Sequence, residues 1–232
     1  MKRLLALMSF FVAFLVGCEV RLDSIASSNG KSEAQSMIDE NIAPQSLIDS
    51  FERRDYDGVF KVINTAKKMR HQEYFAGVVK SFWYCASIEE GGGCSAEVNS
   101  FSQEPRVRLE LADYLIQAAR NKFLDDEGGD YVEYARSMVG YGDPEISSKA
   151  VRIIGIYNDP IDIPLFERIL SKEDVLDFYS AAFALSKNCG AKEADVMMLA
   201  GSLTDRGLAD YLIKSWLDWV DIRKVDCREL LK

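Results

Sequence analysis

The stretch Asp143-Pro144-Glu145-Ile146-Ser147-Ser148-Lys149-Ala150-Val151-Arg152-Ile153-Ile154-Gly155-Ile156-Tyr157-Asn158-Asp159-Pro160 decides the fold. Asp143-Pro144 opens a helix, because proline fits a first helical position whose N–H has no partner in any case. The helix runs to Tyr157, and Asn158-Asp159-Pro160 turns the chain. Pro164 to Leu170 makes a shorter partner helix, and Asp174 restarts the cycle. A helix follows to Lys187, then a turn at Asn188-Cys189-Gly190 and a partner from about Glu193 to Leu203. Asp205 starts a third copy through Leu212, Trp216 and Trp219. Shifted by 31 residues, Ala150 and Ile154 fall on Ala181 and Leu185; shifted again, they fall on Leu212 and Trp216. A period near that length, filled by two helices, marks a stack of repeats in which no unit buries its apolar face alone.

Working back from that stretch, the first half is also helical, without the same rhythm. Pro44 begins a helix with Leu47, Ile48 and Phe51 on one face. Val59, Phe60, Val62 and Ile63 make a second face. Tyr74, Phe75, Val78, Val79, Phe82 and Trp83 make a stronger third, at spacings of three and four. Gly91-Gly92-Gly93 breaks it, Pro105 opens a helix containing Val107, Leu109, Leu111, Leu115, Ile116 and Ala119, and Tyr131 to Val139 forms a short one. No strand-like alternation persists. The expected fold is all-α, a stack of antiparallel helical hairpins, with parts 44–140 and 141–232 making one continuous domain.

The Asp143-Pro144 start, the small residues Ala150 and Gly155, the Asn158-Asp159 turn and the Leu165 to Leu170 helix resemble HEAT-type repeats, as do Ala181, Ala182, Leu185 and Asn188 in the next copy. The resemblance spans about residues 143 to 220 and implies a HEAT-like α-solenoid. Such solenoids present extended surfaces and usually bind proteins. Small residues on the long helices let neighbouring repeats approach closely.

The start of the chain carries a second signal. Lys2 and Arg3 precede an apolar run from Leu4 to Val16, which as a helix would span roughly 20 Å, short of the ~30 Å of a bilayer core. That is the form of a secretory signal. Leu15-Val16-Gly17-Cys18 resembles the lipobox of bacterial lipoproteins. The resemblance implies removal of residues 1–17 and lipid on Cys18, hence a membrane partner through that lipid. With Glu19 rather than Asp next, it implies an outer-membrane location facing the periplasm. Residues 18–43, rich in serine, read as the lipidated cysteine and a flexible tether.

Four further cysteines, Cys85, Cys94, Cys189 and Cys227, suit disulfides in an oxidising compartment. Three pairings are open; the local one, Cys85 with Cys94, would leave Cys189 to tie the C-terminal tail through Cys227. The chain carries a net charge of −9, or about −11 without Lys2 and Arg3. Such a surface repels nucleic acid and favours basic partners. His71 is the single histidine, which excludes a His-based zinc site, and it reads as part of a basic helix end. Gly91-Gly92-Gly93 lacks the Gly-Lys-Ser/Thr of a phosphate loop. No serine stands in a G-x-S-x-G turn. No cofactor, metal or catalytic residue is expected.

The expected function is therefore non-enzymatic protein binding at the envelope. A small acidic lipoprotein without catalytic groups resembles the immunity proteins that neutralise toxins delivered between bacteria. That resemblance implies a basic secreted toxin as partner, met by the acidic loop Asp125, Asp126, Glu127 and Asp130 and by a ridge at Glu167, Glu173 and Asp174. The alternatives are an accessory lipoprotein of a secretion or cell-wall machine and, third, a carboxylate-based hydrolase.

Overall fold

The computed structural model describes residues 43–68, 72–85, 94–125 and 128–230. The signal segment, Cys18 and the tether up to residue 42 lie outside them, as do His71, Gly91 to Gly93, Asp126 and Glu127. Among the described residues the structure is all-α, a stack of helices without a strand. The helices are α1 (43–52), α2 (Tyr56–Ala66), α3 (Glu73–Cys85), α4 (Ala96–Gln103), α5 (Pro105–Arg120), α6 (Gly129–Ser137) and α7 (Pro144–Tyr157). A 3-10 turn at Pro160–Asp162 leads to α8 (Ile163–Ser171), followed by α9 (Val175–Lys187), α10 (Glu193–Ser202) and α11 (Arg206–Leu230). No described helix is long and apolar enough to cross a membrane.

The three aspartates spaced by 31 residues each cap a long helix. Asp143 Oδ1 accepts from Glu145 N at 2.9 Å, Asp174 Oδ1 from Leu176 N at 3.1 Å, and Asp205 Oδ1 from Gly207 N at 2.7 Å. A carboxylate at this position satisfies backbone donors that have no partner within the helix and sits at the favourable end of its dipole. Asn158 closes α7 in the left-handed conformation (φ 68°), its N–H bonded to Ile154 O, a conformation asparagine tolerates better than most residues.

The long helices α5, α7, α9 and α11 lie side by side in chain order. Gly155 shows why the packing is so close: a Cβ placed on it would stand 2.5 Å from the Ala184 Cβ on α9. The short helices α8 and α10 pack most closely on the long helix that follows them, α9 and α11, while α6 lies equally against α5 before it and α7 after it. The compact hairpin is therefore short-then-long, one element out of phase with a pairing of 144–157 and 164–170. The reason lies in the linkers. Only Lys172, Glu173 and Asp174 separate α8 from α9, whereas Asn158 and the 3-10 turn carry the chain away from α7.

The first half packs by aromatic contact. Phe51, fully buried, stacks on Phe82 with ring centroids 3.9 Å apart and meets the edge of Phe101 at 5.4 Å. Trp83 takes the edges of Tyr131 and Tyr134, with the Arg108 guanidinium 3.9 Å from its ring. Burial lowers the Arg108 pKa from the ordinary arginine value. Phe101 comes from α4, a helix the hydrophobic spacing did not announce; Ser95 caps it by accepting from Val98 N. Two side chains assigned to buried faces are exposed, Phe60 at 46% and Tyr74 at 58%. On α2 the buried row is Val59, Ile63 and Ala66, and Phe60, about 100° around the helix from Val59, points elsewhere.

Candidate functional site

Cystines join Cys85 to Cys94 and Cys189 to Cys227, with Cα atoms 5.8 and 5.5 Å apart. The second bond ties α11 to the turn after α9. The local pairing is thus the one adopted.

The acidic candidates have different fates. Glu173, in a left-handed turn (φ 54°), accepts from Thr204 N at 2.7 Å, Thr204 Oγ1 at 2.8 Å and Asp205 N at 3.1 Å. It links one repeat to the next, and those bonds hold its carboxyl below the usual range. Asp174 is the α9 cap. Asp125 is exposed, Asp130 is exposed in the first turn of α6, and Glu167 is half-buried on α8. The ridge is thus partly structural, since Glu173 and Asp174 already bind backbone N–H groups.

The buried polar groups form a second cluster. Glu110, 1% exposed, pairs with Lys149 and accepts from the Tyr56 hydroxyl at 3.1 Å. Burial, followed by the Glu110 charge, raises the Tyr56 pKa above the ordinary tyrosine value. The cluster pins α2, α5 and α7 together, and leaves Glu110 Oε2 without a hydrogen bond. Its partners are a lysine and a phenol, not the second carboxylate that glycoside hydrolysis uses. Among the described residues no group of three His, Cys, Asp or Glu gathers for a metal ion.

Aromatic side chains left at the surface are the feature that stands out. Tyr179 on α9 meets Tyr211 on α11 edge-on at 4.6 Å, and both are exposed, at 45% and 37%. One helical turn on, Phe183 meets Trp219 at 5.5 Å, and Lys187 Nζ sits 5.1 and 4.6 Å from these two rings. Across the α7–α9 seam, Ser148 Oγ and Ser180 Oγ lie 2.6 Å apart. Beyond it Lys149 lies over the exposed Phe60 ring at 5.6 Å, with Arg152 exposed one turn further along α7. Exposed Val175 and Leu176 stand at the start of α9. Aromatic rings with apolar bodies and polar tips, flanked by cations, are the side chains that anchor protein interfaces.

Sequence reading missed these rings because it counted buried periodicity. The signal was present as a second row on α9, Tyr179, Phe183 and Lys187 at spacings of four, offset from the core row Phe178, Ala181, Ala182 and Leu185. No protein-family model matches the chain, and no match to it was found among curated proteins or solved structures.

Proposed function

We propose that this chain is a lipid-anchored envelope protein whose helical stack binds another protein without chemistry of its own. Its best specific role is as an immunity protein that neutralises a membrane- or periplasm-acting toxin. The observation that carries the binding reading is the exposed pair Tyr179–Tyr211 with the half-buried pair Phe183–Trp219 next to it, and the exposed ring of Phe60. Rigid aromatic side chains bury large areas at little entropic cost, and a few of them dominate most interfaces. The envelope reading rests on the Leu15-Val16-Gly17-Cys18 segment, which resembles a lipobox, and is supported by two cystines, which persist in oxidising compartments. Two or three acyl chains on Cys18 would hold the protein firmly at a membrane. HEAT-like stacking of the second half belongs to the same reading.

The test has two parts. Growth with a labelled fatty acid should mark the protein, and Cys18→Ala should abolish the label; a chain that stays unlabelled overturns the anchor. The soluble chain from residue 19 is then used to isolate a stoichiometric partner from the envelope and secreted fractions. A partner that is toxic in the periplasm alone and harmless beside this protein supports immunity. Tyr179→Ala with Tyr211→Ala should then weaken its binding more than reversal of Asp125, Asp126 and Glu127. Resident envelope components in its place would favour the accessory-lipoprotein role.

A further inference from the structure

In the interior of the stack, one row of each long helix is always covered by the next. On α7 that row is Val151, Gly155 and Asn158: Gly155 lies against Ala184, and Asn158 Oδ1 accepts from Cys189 N at 3.0 Å. The repeat of 31 carries this row to Ala182 and Ser186 on α9 and Cys189 in the turn after it, and Arg223 of α11 reaches Ser186 O at 2.9 Å. One more step carries it to Ile213, Leu217 and Val220 on α11. There the described structure ends, and no described helix lies beyond. Leu217 is 58% exposed, with Ile213 and Val220 half-buried beside it against the core, while Leu208, Leu212 and Trp216 on the adjoining face, about 100° around the helix, are buried.

Solenoids normally finish with a polar outer face. Here the last described helix has a leucine where the helices before it have Gly155 and Ser186, both small enough for close approach. Ile213, Leu217 and Val220 follow spacings of four and three, the seam of a helix that packs on another helix. The charges beside the seam complement themselves. In an antiparallel pair whose two-fold axis passes between Leu217 and Asp218, Lys214 of each copy comes opposite Asp221 of the other. That geometry is isologous, so one patch serves both copies and the assembly closes at two.

We propose that this outer face of α11 is a dimer interface, at which two copies of the chain pair as antiparallel helices about Leu217. The contact is one helix wide, so it belongs to the small, reversible class of interfaces. A lipid anchor is not needed for it.

Sedimentation of the chain from residue 19, which keeps every described helix, tests this from about 1 µM to about 1 mM. A monomer–dimer equilibrium is expected within that range. Leu217→Glu should hold the protein monomeric throughout, with an unchanged circular dichroism spectrum, because the side chain it replaces is exposed. Lys214→Asp, which sets like charges opposite each other, should weaken the dimer at least tenfold. Lys214→Asp combined with Asp221→Lys should restore it. A chain that stays monomeric across the range, or a dimer untouched by Leu217→Glu, overturns the proposal. A double charge exchange that restores nothing overturns the antiparallel register. If the chain from residue 19 is monomeric and one from residue 43 dimerises, the tether covers the face and the second copy is overturned as its occupant.

Discussion

The two halves of this molecule reach the same end, stacked helices over a continuous core, by different means. Residues 143–230 repeat a device: an aspartate cap every 31 residues, a small residue at the helix crossing, and polar links between equivalent turns. Residues 43–137 repeat nothing. Their helices differ in length and are held by large rings in particular mutual contacts, with one local cystine. Periodic packing spreads stability over many small equivalent terms, whereas aromatic packing concentrates it in a few side chains.

That contrast can be broken most sharply at Phe51. Phe51→Ala removes a buried ring in contact with two others and should cost about 4 kcal/mol, read from denaturant unfolding. No single truncation to alanine among the caps of the second half should approach it. The cystines should rank by the chain they enclose. They span 38 residues at Cys189–Cys227 and 9 at Cys85–Cys94. Paired serine replacements should therefore cost about 4 and about 2.5 kcal/mol respectively, measured by melting under oxidising conditions. A Cys85–Cys94 loss as large as that of Cys189–Cys227 would show that the short-loop cystine does more than restrict the unfolded chain.

Gly155→Val forces a side chain against Ala184 and should cost about 2 kcal/mol or more. Gly77, around which a Cβ would have open space, should accept alanine with no loss, a paired control from the other half. Asp174→Ala removes one cap and should cost about 1 kcal/mol, with a similar loss for Asp205→Ala if the repeats are equivalent.

The smallest effect has the opposite sign. Asp177 accepts from Ser147 Oγ at 3.0 Å, but its other oxygen, buried, has no partner. Burial raises its pKa above the usual aspartate range. A raised carboxyl pKa means that the folded state takes up the proton more readily than the unfolded one, so this residue's contribution falls as pH rises. Asp177→Asn should therefore raise the melting temperature at neutral pH, with the advantage shrinking as pH falls through the carboxylate range. Asp143 and Glu173 run the other way. Their pKa values are lowered, Asp143 first by Arg106 and Glu173 first by the Thr204 N–H. The stabilisation they provide is present at neutral pH and is lost as pH falls through their folded values.

What could be read from the chain follows the same division. Asp143, Asp174 and Asp205 announced three helix starts because capping is a local event, decided within four residues. Gly155 announced a close crossing because its missing side chain has one use in a buried helix. The cystine pairing was narrowed by short separation. By contrast, α4 carried too few apolar residues to register. Phe60 and Tyr74 were counted as core because a spacing of three or four does not say which side of a helix a neighbour covers. Glu173 and Asp174 looked like a binding ridge, since their backbone partners are set by a turn and, for Glu173, by the next repeat.

By itself, then, the sequence determined most of the helices, the aspartate caps and the period of the second half, all set by contacts within a turn or two of the chain. Only the tertiary structure decided which helix covers which. It placed α8 and α10 on the long helices that follow them. It aligned Tyr179 with Tyr211 and Phe183 with Trp219, and left Leu217 exposed at the end of the stack. The aromatic pairings join side chains 32 and 36 residues apart, and all of these outcomes depend on linker lengths and on the room left at each crossing rather than on local preference.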